Sequence, residues 1–335
     1  MSSAEGSWNK FFSHVYVEKR AMDYPLTKEI LSGLPKSVIV MISHYKDIFN
    51  RGKQSYNDQC RSRALILAVN DGELVYEGAP VCQSFGEKEF YYTASSMNCP
   101  FDCEYCFLKG MYNTANIVCF VNMEDYARAV RSLKDPYVCV SYDTDLLAMD
   151  NITKQASLWA DIAEENPDIL IELRTKSAPA RLRPVPNLIY AYTLSPDLIS
   201  ARFEHGAPPL KARLASIANA LDDRCTVRLC FDPMIHVRGW EDIYRDLVDQ
   251  VASVIDLGKV RDVSVGTFRI SSSYLKNIRR QEPRSEVCWF PFENSCGYSK
   301  YPDEIDSKMQ DLMTEELMRF IPREKIWNAK ITDAS

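Results

Sequence analysis

From about residue 88 onward, short apolar runs alternate with longer amphipathic segments, and this alternation restricts the chain to few folds. Glu89 to Ala94, Tyr137 to Tyr142, Ile169 to Arg174, Leu188 to Leu194, Thr226 to Phe231 and Asp262 to Arg269 read as strands. Met123 to Lys134, Ile152 to Glu165, Pro209 to Leu221 and Trp240 to Leu257 carry helical periodicity. Strand and helix repeated in this way predict parallel strands with helices outside them. Six such units give an α/β fold built on a partial (β/α)6 TIM-type barrel, whose chemistry gathers at the C-terminal ends of the strands. Residues of chemical interest follow that rule. A cysteine triad follows the first run, Tyr142 to Asp145 the second, Arg174 to Lys176 the third, Thr193 to Ser195 the fourth, Asp232 to His236 the fifth and Arg269 the sixth.

Residues 1–85, with the apolar run Ala64 to Val69, are expected to form an N-terminal α/β subdomain on the barrel mouth. Residues 86–285 would form the barrel. Residues 286–335 would form a C-terminal extension with the aromatic segment Cys288-Trp289-Phe290-Pro291-Phe292 and a helix from Asp303 to Phe320.

The triad is Cys99, Cys103 and Cys106, a C-x3-C-x2-C run. Three thiolates at that spacing can wrap one face of a 4Fe-4S cubane and leave its fourth iron open, whereas structural zinc wants a fourth protein ligand. Zinc or an incidental cysteine cluster is the alternative. Cys119 is the nearest further thiol, but within Ile117-Val118-Cys119-Phe120-Val121 a packed cysteine is the plainer reading. His14, His44, His205 and His236 show no chelating spacing, and none of the 12 glycines belongs to a phosphate-binding loop motif.

Eleven cysteines dispersed over 335 residues, behind a Met1 to Lys10 segment without basic and apolar signal regions, point to a reducing cytoplasm. No apolar stretch approaches the roughly 20 residues that span a bilayer, so a membrane role is not expected. With 40 basic and 46 acidic residues the net charge is -6, which excludes a global phosphate-binding footprint. Nucleic-acid contact has to be local. Arg174, Lys176, Arg181 and Arg183 form one candidate patch, and Arg269, Lys276, Arg279, Arg280 and Arg284 another, with an ordinary solvated face the plainer reading of each.

The cysteine spacing, with Tyr105 before and Phe107 after the third cysteine, resembles the cluster motif of the radical S-adenosylmethionine (SAM) enzymes. Further residues resemble the spore photoproduct lyase branch, which repairs a methylene-bridged thymine dimer in DNA. They are Tyr24-Pro25-Leu26 with Glu29-Ile30, Asn98-Cys99-Pro100, Asp145 with Asp150, Thr175-Lys176, Phe203-Glu204 with Gly206, and Gly239-Trp240-Glu241 with Tyr244-Arg245. The resemblance implies a 4Fe-4S cluster on the three cysteines and SAM on the open iron, cleaved reductively to a 5′-deoxyadenosyl radical. It also implies thymine-containing DNA as substrate and an electron donor such as flavodoxin or ferredoxin. Lys176, Tyr105, Thr144 and Thr193 would lie around SAM, a cation for its carboxylate and hydroxyls for its polar groups.

Four positions depart from the family. Its hydrogen-donating cysteine, three residues before the aspartate matching Asp145, is Tyr142 here, and the tyrosine after its third cluster cysteine is Phe107. Its arginine-tyrosine wedge corresponds to Pro291 and Phe292. Tyr142 and Tyr105 are therefore the expected catalytic side chains. Strand alternation would put Val140 on the Tyr142 face and turn Cys139 and Ser141 toward the helices. Three functions are compatible with these residues: a divergent lyase on a thymine lesion, using Tyr142 or another thiol such as Cys139 or Cys296; the same radical chemistry on a modified base or small molecule; and a non-enzymatic iron-sulfur binding or sensing protein.

Overall fold

A computed structural model describes residues 11–78, 83–87 and 89–329, so Met1 to Lys10 lie outside the described residues. All six runs become strands, side by side in one sheet. They are β1 (Phe90–Tyr92), β2 (Tyr137–Cys139), β3 (Leu170–Thr175), β4 (Leu188–Thr193), β5 (Thr226–Met234) and β6 (Asp262–Thr267). A further strand, β7 (Ile326–Asn328), extends the series, and each of the seven pairs in parallel with the next. Tyr76–Glu77 adds an antiparallel edge beside β1, completing an 8-stranded sheet. Curled and open, it is a partial TIM-type barrel. Around β7 the sequence offers only Ile326-Trp327 between charged and polar residues, too little to show a period.

Register separates the two faces of the sheet. Val138, Ile171, Leu173, Val227 and Val263 pack into one core with Leu146, Leu214, Leu247 and Met313 from the surrounding helices. The inner face, away from the helices, carries Tyr137 and Ile189, packed with Phe85 and Trp327. Cys139 lies on this inner face, in register with Glu172 of β3 and Tyr92 of β1, whereas Val140 packs in the helix-side core. The expectation that Cys139 faces the helices is thereby overturned. β2 ends at Cys139, and the two-residue alternation does not carry across that end to Tyr142.

A second sheet has the order Val38–Ile42, Phe12–Glu18, Arg63–Ala68, Ile117–Phe120, Ser96–Met97, with only the last pairing antiparallel. Ile117–Phe120 thus pairs with a strand from residues 1–85, and one sheet runs across the boundary drawn at residue 85. Beyond β6, Arg269–Ser271 joins a hairpin of Glu293–Ser295 and Tyr298–Lys300. Its tip is Cys296-Gly297, with φ of 48° and 82°, the left-handed pair that tight hairpin turns require. Phe292 is half-buried, its ring 5.3 Å from Phe268 and 5.2 Å from Tyr301. Among the described residues no helix is long and apolar enough to cross a membrane.

Candidate active site

The cysteine loop hangs between the two sheets, directly after Ser96–Met97. Asn98 takes φ of 74°, a left-handed conformation that asparagine tolerates, and its side chain holds the turn. Its amide donates to the carbonyls of Thr114 (2.7 Å) and Asn116 (3.0 Å). Arg63 donates to the Cys99 carbonyl at 2.5 Å. Downstream, Asp102–Cys103 forms a two-residue antiparallel ladder with Glu204–His205. Cys106 then caps the short helix Phe107–Met111, where buried Lys109 bridges Asp102 (2.7 Å) and Glu282 (2.5 Å).

Glu204 is the hub of this site. Its carboxylate accepts from the Tyr105 hydroxyl, from Ser195 Oγ at 2.8 Å and from Arg213, and lies 3.5 Å from Lys176 Nζ. Burial acts to raise its pKa, but Lys176 and Arg213 overcome this and hold it at about 2. Burial opposes the charge of Lys176 in turn, yet Tyr105 and Glu204 keep its pKa well above the ordinary lysine value. The ammonium stands 4.9 Å from the Tyr105 ring centroid.

Asp145 ties the ends of β2 and β3 together. It accepts from the backbone N–H of Ala148 (3.0 Å) and of Lys176 (2.7 Å), and from Thr175 Oγ1 (2.8 Å). Beside it, the buried Thr144 hydroxyl has no hydrogen-bond partner among the described residues. Neither does Asp143 Oδ1, whose carboxyl is pushed up to about 6 by burial despite a hydrogen bond from Tyr112. Thr193 ends β4, and its carbonyl accepts from Arg213 at 3.1 Å. Tyr105, Thr144, Lys176 and Thr193 thus gather around the Asp145 and Glu204 carboxylates at the C-terminal strand ends.

Sequence reasoning did not single out Glu204 or Arg213 as site residues. Glu204 stood within a matched segment, but Arg213, inside the helix Leu210–Asp222, carried no signal that it would be fully buried. Tyr142 stands at the inner rim, its ring 4.6 Å from Tyr92 and 5.5 Å from Phe107, so it sits beside the helix that Cys106 caps. His236 packs among aromatic rings and donates its backbone N–H to the Tyr301 hydroxyl at 2.9 Å.

The first basic patch is dispersed: Arg174 pairs with Glu172, Lys176 with Glu204, Arg181 with Asp223 and Arg183 with Asp161. The second is partly a surface. Arg269 pairs with Asp232, but Lys276, Arg280 and Arg284 are exposed beside Trp289, over which Arg279 stacks at 5.1 Å.

The donor set of the cysteine loop fits a cubane cluster. Burial pushes all three thiols up, Cys103 to about 12, and Cys103 and Cys106 both act electrostatically on Cys99. Ligation here would expel protons. Among the described residues no group of three or more His, Cys, Asp or Glu is arranged to hold a single metal ion. Cys119 is fully buried in a paired strand, where packing accounts for it.

No protein-family model matches the chain, and no curated protein matches it significantly in sequence. Solved structures do match. A spore photoproduct lyase double mutant with bound AdoMet and dinucleoside spore photoproduct superposes with a TM-score of 0.80 at 16% identity, covering 96% of this chain and 99% of that one. A cysteine-to-alanine mutant of spore photoproduct lyase gives a TM-score of 0.81 at 16% identity, covering 95% and 98%. Over nearly its whole length, this chain has the fold of spore photoproduct lyase.

Proposed function

We propose that the chain is a radical SAM enzyme of the spore photoproduct lyase type, acting on a thymine lesion in DNA. The observation that carries this reading is the C-x3-C-x2-C loop, stapled to Glu204 and Lys176 at the mouth of a partial barrel whose fold is that of spore photoproduct lyase. When bound, the cluster supplies the electron that cleaves SAM to methionine and a 5′-deoxyadenosyl radical. The chain's own residues hold and shield that chemistry. Lys176 is placed to neutralise the SAM carboxylate, while Tyr105, the unpartnered Thr144 hydroxyl and Thr193 offer polar contacts around it. Phe107, Tyr142 and Tyr92 wall the rim and exclude water. Exposed Lys276, Arg280, Arg284 and Trp289 offer a local DNA contact on an acidic chain.

A second reading, the same chemistry on a different substrate, is favoured by Tyr142 in place of the family's donor cysteine. The inner face nevertheless carries the Cys139 and Cys230 thiols, so a lyase has S–H groups to draw on. Anaerobic reconstitution with SAM and a thymine-dimer oligonucleotide tests both. Repaired thymines support the lyase. SAM cleavage without repair supports the second reading, and failure to cleave SAM under reduction overturns both.

A further inference from the structure

Arg174 lies on the inner face of the barrel, in register with Ala191. Its Nε donates to Glu172 at 2.5 Å. Glu172 is fixed in turn by the Tyr137 hydroxyl at 2.6 Å and by Arg228, which is anchored on Asp262. Glu172 and Arg228 are almost wholly buried, whereas the Arg174 side chain is 32% exposed. Its two terminal amino groups meet no acceptor among the described residues. A guanidinium held rigidly at one edge and open at the other is a prepared hydrogen-bond fork.

The charges around it decide what the fork can take. Arg174, Arg228 and Arg261 contribute three positive charges, Glu172, Asp262 and Glu87 three negative ones, and the network sums to zero. A phosphate or carboxylate would leave an uncompensated anion in the lumen, whereas a neutral carbonyl oxygen would receive two polarised N–H bonds at no such cost. Nearby walls are flat. Tyr92 is the register neighbour of Cys139, which acts electrostatically on Arg174, and the Tyr92 ring lies 4.6 Å from that of Tyr142, tilted by 36°.

We propose that Arg174 is a substrate-binding residue that grips a carbonyl oxygen of a neutral, planar, oxo-bearing ring inside the barrel. A pyrimidine base of the lesion meets this description, and that substrate class rests on the lyase reading above.

The test uses anaerobically reconstituted full-length protein with Arg174→Met and Arg174→Lys, the latter keeping the charge that Glu172 needs. Dinucleoside spore photoproduct should bind both variants about ten- to a hundred-fold more weakly than the parent, with SAM affinity unchanged. Equal dinucleoside affinity in folded Arg174→Lys overturns the assignment. A second arm follows free thymine and inorganic phosphate by ligand-observed NMR. Thymine binding that is lost in both variants supports the inference. Thymine binding that persists in them, or that phosphate displaces in the parent, overturns it, as does a parent that binds no thymine. If the parent ignores the dinucleoside yet binds thymine through Arg174, the lesion reading fails and the oxo-ring site stands.

Discussion

Glu204 joins Lys176, 3.5 Å away, to Arg213 on its other oxygen, so one buried carboxylate compensates two cations. Removing its charge leaves both uncompensated. Glu204→Gln should destabilise the protein by about 3 to 5 kcal/mol at neutral pH, measured by urea unfolding. With a folded pKa of about 2 against an ordinary 4.5, the carboxylate contributes its full stabilisation above pH 4.5 and loses it as pH falls toward 2. Glu204→Gln should lack that acid-side loss, and a parent-like slope in the variant would contradict the role of Glu204.

Alanine at Cys99, Cys103 or Cys106 should abolish the brown absorbance of the reconstituted protein and its SAM cleavage. Alanine at Cys119 should leave both intact. Because burial holds the three thiols protonated, assembly should also release protons at neutral pH, measurable by indicator dye. Full iron and sulfide in the triple variant would refute the assignment.

Lys176→Ala should weaken SAM binding by about ten- to a hundred-fold, read by equilibrium dialysis, with iron content unchanged. Unaltered affinity would remove Lys176 from the site.

Asp143 gives a pH dependence of opposite sign to Glu204. Its folded pKa of about 6 exceeds the ordinary 3.8, so the folded state holds a proton that the unfolded state releases. Stability should fall by up to about 3 kcal/mol as pH rises from about 4 to about 6. Asp143→Asn should flatten that slope in thermal unfolding, and an unchanged slope would place its origin elsewhere.

At the rim, Tyr142→Phe should retain SAM cleavage while diverting or slowing product formation, since the ring contacts with Tyr92 and Phe107 survive and only the hydroxyl is lost. The inner-face position of Cys139 makes Cys139→Ala informative as well. Product loss in Cys139→Ala with parent-like Tyr142→Phe would assign the hydrogen donor to the thiol. The opposite pattern would assign it to the phenol.

The six barrel strands were legible because each lies in an apolar run and helical periods fill most of the connections, the β3–β4 connection excepted. β7 was not, because Ile326-Trp327 stands alone between charged and polar residues. Side-chain direction was harder to read. Cys139 was assigned to the wrong face because alternation was carried past the point where β2 ends. Arg174 and Lys176 looked like part of a solvated basic run, although Glu172, which receives Arg174, stands only two residues before it. Lys176 is different: its partner Glu204 lies 28 residues further along the chain, and that buried pair is a tertiary property no local pattern announces.

The ladder between Asp102–Cys103 and Glu204–His205 also orders events during synthesis. Glu104 and His205, which meet at 3.0 Å, are 101 residues apart. At about 5 to 20 residues per second, the cysteines leave the ribosome several seconds before the strand that holds their loop. Iron delivered in that interval would meet three thiols on an untethered segment, open to oxidation and to capture of the wrong metal. If the three thiols hold the proposed cluster, they must stay reduced until about two-thirds of the protein has been made.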